Sequence, residues 1–272
     1  MPGPIITLTT DFGNSDYYVG AVKGVILSLN PEATIIDITH QVPPQDIQSG
    51  AFILGEASAF FPSNTIHIAV IDPGVGTNRR PILIHGPDGI YLGPDNGLFS
   101  YLFPHSSEST PFAMTQTALP EHWYGYHITN RAYWNKTISH TFHGRDIFAP
   151  VAGHLSRGIT PDLIGVPTAT ITAFHIPAPF KQGSELHGII LQSDHFGNLI
   201  TNIKAAELES FTSTFLVEIG GIKIEGISTS YQEARFTALI GSHGYLEIAV
   251  QNGNAQNVLG VDHGAPVRIS YK

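Results

Sequence analysis

The sequence predicts two domains of different class. An α/β domain with a mainly parallel sheet occupies 1–165, an extended connector 166–185, and an all-β barrel 186–272. Three observations carry this reading. Strand-like and helix-like patterns alternate through the first half, as a layered α/β domain requires. After about residue 186 the helical periodicity disappears, and seven short β-rich runs follow, separated by glycine turns. The length, 272 residues, exceeds the ~150 of a typical single domain.

The elements follow in order. The β-branched run 5–9 is a strand. Residues 16–29 carry Tyr17, Val19, Ala21, Val22, Val25, Ile26 and Leu29 on one broad apolar helical face, and Asn30-Pro31 ends it. A second strand is expected at 34–38, a helix at 44–60, and a third strand at 65–71. That third run is apolar on both faces, as buried parallel strands are. Runs 81–85 and 90–93 form a strand pair around Gly86-Pro87-Asp88-Gly89. Short helices are expected at 95–103 and 147–155, with Pro150 in the first turn of the latter. Residues 159–183 mix proline with Thr, Ile and Ala, which suits an extended connector. The barrel strands are 188–192, 198–202, 215–219, 222–227, 236–240, 245–250 and 267–271. Gly220-Gly221 between two of them signals a two-residue hairpin.

Composition excludes several chemistries. There is no cysteine, so disulfides, thiolate zinc sites, cysteine-ligated clusters and cysteine nucleophiles are ruled out. Thirteen basic residues face 22 acidic ones, a formal charge of −9, which argues against a nucleic-acid partner. The residues before Ile5 carry no basic export region, and no run reaches the ~20 apolar residues of a membrane span. A soluble cytoplasmic protein is the expectation. The chain also holds 28 glycines and 19 prolines, above the usual ~12% combined. They are spread among apolar runs, as turns of a loop-rich globular protein are.

Four polar clusters stand where chemistry can sit. Thr9-Thr10-Asp11-Phe12-Gly13 follows the first strand; Asp11 either grips a vicinal diol such as a ribose or caps the next helix. Asp72-Pro73-Gly74-Val75-Gly76-Thr77-Asn78-Arg79 follows the third; Asp72 and Arg79 either pair across a functional loop or form a solvated ion pair. Thr141-Phe142-His143-Gly144-Arg145-Asp146 precedes a helix, and His143 suits a general base or a surface position equally. A metal set of His143, Asp146 and His154 matches no ligand spacing, so no metal is expected. The fourth cluster joins Asp194-His195-Phe196-Gly197-Asn198 with Ser242 to Glu247. Asp194 can hold an ammonium, Asn198 a purine edge and Ser242 a carboxylate, although turns favour these residue types anyway.

Taken together, six motifs resemble one family. They are Thr9 to Gly13, Asp72 to Thr77, Gly93-Pro94-Asp95-Asn96-Gly97, Thr141 to Asp146, Asp194 to Asn198, and Gly244-Tyr245-Leu246-Glu247-Ile248-Ala249. In this order they are similar to the S-adenosyl-L-methionine hydroxide adenosyltransferases, relatives of the fluorinase and chlorinase. The resemblance implies an N-terminal α/β domain, a C-terminal β-barrel and a homotrimer whose sites join neighbouring subunits. It implies SN2 attack of water or hydroxide on C5′ of S-adenosylmethionine, releasing adenosine and methionine, with no cofactor.

By the same resemblance Asp72, Arg79 and His143 position and activate the water, with either Asp72 or His143 taking the proton. Asp11 clasps the ribose hydroxyls, Asp194 and Ser242 hold the methionine ammonium and carboxylate, and Asn198 meets adenine. Phe142 and Gly144 lie beside the substrate. The halogenating relatives carry tyrosine at positions 72 and 143, and the fluorinase has serine at 144. This chain departs from them, and a carboxylate at 72 repels a halide. A halide-using adenosyl transferase and a non-catalytic S-adenosylmethionine sensor are the alternatives.

Overall fold

The computed structural model describes residues 3–103, 110–209, 211 and 214–272. The chain divides into two compact units, 1–175 and 176–272. The first is α/β and the second all-β, the two fold classes expected.

The first unit holds β1 (Ile5–Thr10), α1 (Tyr18–Leu29), β2 (Thr34–Thr39), α2 (Ile47–Ser58), β3 (Ile66–Val70), β4 (Pro81–Gly86), β5 (Gly89–Pro94), β6 (Met114–Ala118) and β7 (Tyr124–Ile128). A π-helical turn (Gly144–Phe148) then runs into α3 (Ala149–Leu155), and β8 (Gly165–Thr168) and β9 (Thr170–Phe174) follow. The seven-stranded sheet has the order β2-β1-β3-β5-β4-β7-β8. Its pairs from β2 to β5 are parallel, and those from β5 to β8 antiparallel. β6 and β9 make a separate two-stranded ladder. Stretch 166–174, expected as connector, therefore carries most of β8 and all of β9.

Parallel strands must be covered on both faces, and this explains the apolar β1 and β3. Ile6, Leu8, Ile66 and Ile68 are buried beneath Val22 and Ile26 of α1 and Val151 and Leu155 of α3. Each such side chain contributes roughly 1.5–3 kcal/mol of burial. Helix α2 starts at Ile47, three residues later than expected. Asp46 is its N-cap, accepting from the Ser49 N–H at 3.0 Å and the Ser49 hydroxyl at 2.7 Å. The helix expected at 95–103 is a chain of turns, because Gly97 adopts a left-handed φ of +99°.

The second unit contains β10 (Phe180–Gln182), β11 (Glu185–Ser193), β12 (Leu199–Lys204), β13 (Phe215–Ile219), β14 (Ile222–Glu225), β15 (Phe236–Ile240), β16 (Tyr245–Val250) and β17 (Pro266–Tyr271). All its pairings are antiparallel, in the order β14-β13-β17-β11-β12-β16-β15, with β10 beside β11. The edge strands β14 and β15 approach one another, so the sheet nearly closes into a barrel. Its interior is filled by Ile190, Leu199, Val217, Ala238, Leu246, Ile248, Val267 and Ile269. Ile219 and Ile222 face each other across Gly220 and Gly221, both at positive φ, which is the hairpin the sequence signals. Among the described residues no helix is long and apolar enough to cross a membrane.

Candidate active site

In an open α/β sheet ligands bind beyond the carboxyl ends of the strands, where the strand order reverses. Here β1 connects to β2 on one side, and β2 then connects to β3 on the other side of β1. Thr10 and Val70 are in register, so Asp11 and the 71–80 loop leave the sheet side by side. A cavity of about 280 Å³ opens at this point, lined among others by Asp11, Gln45, Asp72, Thr141, Phe142, His143 and Gly144.

Asp72, Arg79 and His143 form one hydrogen-bonded chain. The Arg79 Nε donates to Asp72 Oδ1 at 2.9 Å and to Oδ2 at 3.0 Å, and Nη2 also donates to Oδ2. The same Nη2 meets His143 Nδ1 at 2.8 Å. The Asp72 and Arg79 side chains are only 5% and 9% exposed, so this is no solvated surface pair. A guanidinium only donates, so Nδ1 of His143 accepts and the neutral ring carries its proton on Nε2. Burial pushes the His143 imidazole below its ordinary range and the Arg79 charge adds to this, against partial opposition from Asp72 and Asp146. Arg79 Nη1 is buried and has no partner among the described residues.

Backbone geometry brings these loops together. Gly76 has φ +78°, and a Cβ there would collide with the His140 carbonyl, so only glycine lets the 72–79 loop close on the 140–143 loop. Asp146 anchors the second loop. It accepts from Arg145 Nε at 2.7 Å, the Ser139 N–H at 2.8 Å and Asn135 Nδ2 at 3.3 Å. Burial acts to raise the Asp146 carboxyl, but these donors outweigh it and hold it low. His154 packs edge-on against Tyr133. Among the described residues no three His, Asp or Glu side chains gather as a metal set.

Asp11 is not a helix cap: α1 has Tyr17 at its N-cap position, with no side-chain bond. Its Oδ2 instead accepts from the Gln45 N–H at 2.8 Å, which fixes the carboxylate at the wall of the cavity. Gln45 holds a φ of +67°, unusual for a non-glycine residue and typical of strained functional loops. Sequence reasoning passed over Gln45, since the signal is a backbone angle rather than a residue type. Phe142 packs edge-on to Phe12 and Tyr18, and a Cβ at Gly144 would sit 3.2 Å from the Phe12 ring.

The second unit has its own cavity of about 620 Å³, lined among others by Asp194, Asn198, Tyr231, Ser242, His243 and Glu247. The three residues expected there, Asp194, Asn198 and Ser242, are thus brought together. Asp194 Oδ1 accepts from the Phe196 and Asn198 N–H groups at 2.9 and 2.8 Å, and Oδ2 from Asn198 Nδ2 at 3.0 Å. One Asn198 amide hydrogen is therefore committed to Asp194.

Glu247 lies within the last motif but carries no role from the sequence, and Tyr231 lies outside every motif. Glu247 is 3% exposed; the Tyr231 hydroxyl donates to it at 3.0 Å, and His243 Nε2 lies 3.4 Å away. Burial, reinforced by Glu247 and the charge of Asp194, pushes the Tyr231 phenol up to about 12. A lone carboxylate inside the apolar run of β16 was the available signal.

Residues 6–165 match the family model described as the SAM hydroxide adenosyltransferase N-terminal domain, and residues 188–268 match that of the C-terminal domain. An (R)-S-adenosyl-L-methionine hydrolase of Thermus thermophilus is 36% identical, covering 96% of this chain and 97% of the relative. A protein of the same name from Salinispora tropica is 35% identical, covering 99% and 98%. A fluorinase of Actinoplanes is 30% identical over 76% of this chain and 74% of its own. A solved structure of an uncharacterized conserved protein from Thermotoga maritima superposes with a TM-score of 0.83 at 32% identity, covering 98% of this chain and 99% of that one.

Proposed function

The chain belongs to the S-adenosyl-L-methionine hydroxide adenosyltransferase family, and we propose that it hydrolyses S-adenosyl-L-methionine to adenosine and L-methionine. The relatives are named for the R epimer at sulfur, and this chain takes the same epimer in our reading. One observation carries the proposal: the buried Asp72–Arg79–His143 chain at the carboxyl edge of β1 and β3. A protein that only sensed the nucleoside would need no such arrangement.

The reaction is a displacement at C5′. A water oxygen bonds to C5′ as the C5′–S bond breaks, and the bonding pair leaves with sulfur as the neutral thioether of methionine. The sulfonium is already a good leaving group, so no general acid is required and no cofactor is assigned. The residues must orient the water and accept one proton. His143 lines the cavity and its Nε2–H supplies a donor for the attacking oxygen, while Arg79, behind it, holds both His143 and Asp72 in place. Because His143 Nδ1 is engaged, the proton passes to Asp72 and then to solvent. Well-oriented reactants lower barriers by about 7–11 kcal/mol in model systems.

Asp11 clasps the ribose diol, and Phe142 and Gly144 flank the reacting carbon. From the second unit Asp194 holds the ammonium, Ser242 the carboxylate and Asn198 the adenine. The working form is a homotrimer in the cytoplasm, with one copy's second unit completing another copy's first. Mixing equal amounts of Asp72→Asn and Asp194→Asn variants tests this at substrate well below KM, where both parents are weak: random assembly regenerates about a quarter of the sites, whereas sites within one copy would regenerate none.

The reading itself is tested by incubating the protein with separated R and S epimers, with and without chloride or fluoride. Adenosine and methionine from the R epimer, independent of halide, support it. A 5′-halo product would make the protein a halide transferase, which the Asp72 carboxylate disfavours. Binding without products would make it a sensor.

A further inference from the structure

The motif Gly93 to Gly97 takes no part in the reaction above, and none of its residues lines either cavity. Its hydrogen bonds nevertheless reach both ends of the loop that carries Asp72 and Arg79. Asn96 Nδ2 donates to the carbonyl of Ile71 at 2.9 Å, one residue before Asp72. The Asp95 N–H donates to the carbonyl of Arg80 at 2.9 Å, one residue after Arg79. Asp95 Oδ2 also accepts from Arg80 Nε at 2.8 Å and Nη2 at 2.5 Å.

The Asp95 carboxylate is itself fixed. Its side chain is 2% exposed, and Oδ1 accepts from the Thr172 N–H of β9 at 2.6 Å. Pro94 pairs with Pro81 at the first rung of the β4–β5 ladder. A Cβ at Gly93 would collide with the Ala69 carbonyl of β3, so the turn lies directly against the strand that leads to Asp72.

We infer that Asp95 and Asn96 are positioning residues for the Asp72–Arg79 pair, holding the two ends of its loop at a fixed separation; this rests on the hydrolase reading above. The physical reason is leverage. Asp72 and Arg79 are seven residues apart on a loop that holds Pro73, Gly74 and Gly76 and two successive turns, and their own pairing does not anchor the loop to the sheet. Clamping the flanking residues does. A misplacement of about 1 Å at reacting groups costs about 100-fold in rate.

The test uses the full chain with Asn96→Ala and the isosteric Asp95→Asn. Both are expected to lower kcat for adenosine release about 10- to 100-fold while KM stays within about twofold. In an Arg79→Lys background the same substitutions are expected to cost less than about threefold, because the pair they position is already impaired. Equal losses in both backgrounds, or KM rising in step with the fall in kcat, would overturn the inference.

Hydrogen exchange gives a readout independent of turnover. Amides of 74–79 should exchange faster in Asn96→Ala while β1 and β3 keep their protection. Unchanged exchange in 74–79 overturns the brace even if the enzyme is active. A parent protein that releases no adenosine overturns the hydrolase reading instead, and the exchange result still decides the brace.

Discussion

The two cavities differ in how their charges are satisfied. In the first unit Asp72 is neutralised by Arg79, and Arg79 reaches on to His143. The other carboxylate lining the first cavity, Asp11, is held by the Gln45 N–H; in the second cavity neither lining carboxylate, Asp194 or Glu247, is ion-paired with Arg or Lys among the described residues. Asp194 is held by amide donors and Glu247 by a phenol and an imidazole. The difference matches the separate tasks proposed for the two cavities. A neutralised acid–base chain suits a reaction in which water must be oriented and a proton moved. A pocket with surplus negative charge suits the grip on a cationic ammonium and sulfonium. The overall charge of −9 points the same way but matters less than these local groups.

This contrast predicts a split in kinetic parameters. Arg79→Ala should lower kcat about 100- to 1,000-fold with little change in KM, since it releases Asp72 and His143 from the guanidinium that orients both. Steady-state kinetics on adenosine release checks this. A KM effect alone would move Arg79 from chemistry to binding and erase the contrast.

Asp194→Asn should do the reverse. It keeps the shape of the site but loses the charge, and KM is expected to rise about 10- to 100-fold with kcat within about tenfold. An equal fall in kcat with no KM change would place Asp194 among the catalytic groups.

Much of this was legible in the sequence, for identifiable reasons. Asp11 and Asp72 could be located because each directly follows a β-branched strand. The barrel strands showed their alternation, and Gly220-Gly221 declared its hairpin. The Arg79–His143 contact spans 64 residues, so its existence, though not its members, awaited the fold. Strands β6 to β9 were hidden. β8 carries a proline at an edge position, where a strand tolerates one, and β6 and β9 are stabilised by each other rather than by a local pattern. The role of Gly93 to Gly97 was also hidden, because its partners Ile71, Arg80 and Thr172 come from three separate segments.

A subtler test of the first cavity is its pH dependence. The reading needs His143 neutral, and burial beside Arg79 lowers its pKa from 6.5. Activity should therefore be full above that value and fall only as the pH drops below it through the depressed pKa. The acid limb of kcat/KM reports the groups the free enzyme needs in one protonation state, and the contribution of His143 to it should be lost in His143→Asn. A limb at or above the pKa of free imidazole would contradict the geometry.

The smallest expected effect lies in the second cavity. Tyr231→Phe removes one hydrogen bond to buried Glu247 and should raise KM about two- to fivefold without altering kcat. Isothermal binding measurements with the product methionine would locate the loss. A change in kcat instead would mean that the second cavity takes part in the chemistry.

The most direct test of the whole account is the fate of the attacking oxygen. With the R epimer of S-adenosylmethionine in water enriched in heavy oxygen, mass spectrometry of the adenosine should find one labelled atom at the 5′ hydroxyl. Product lacking that label, or no adenosine at all, would contradict attack of water on C5′ at the Asp72–Arg79–His143 site.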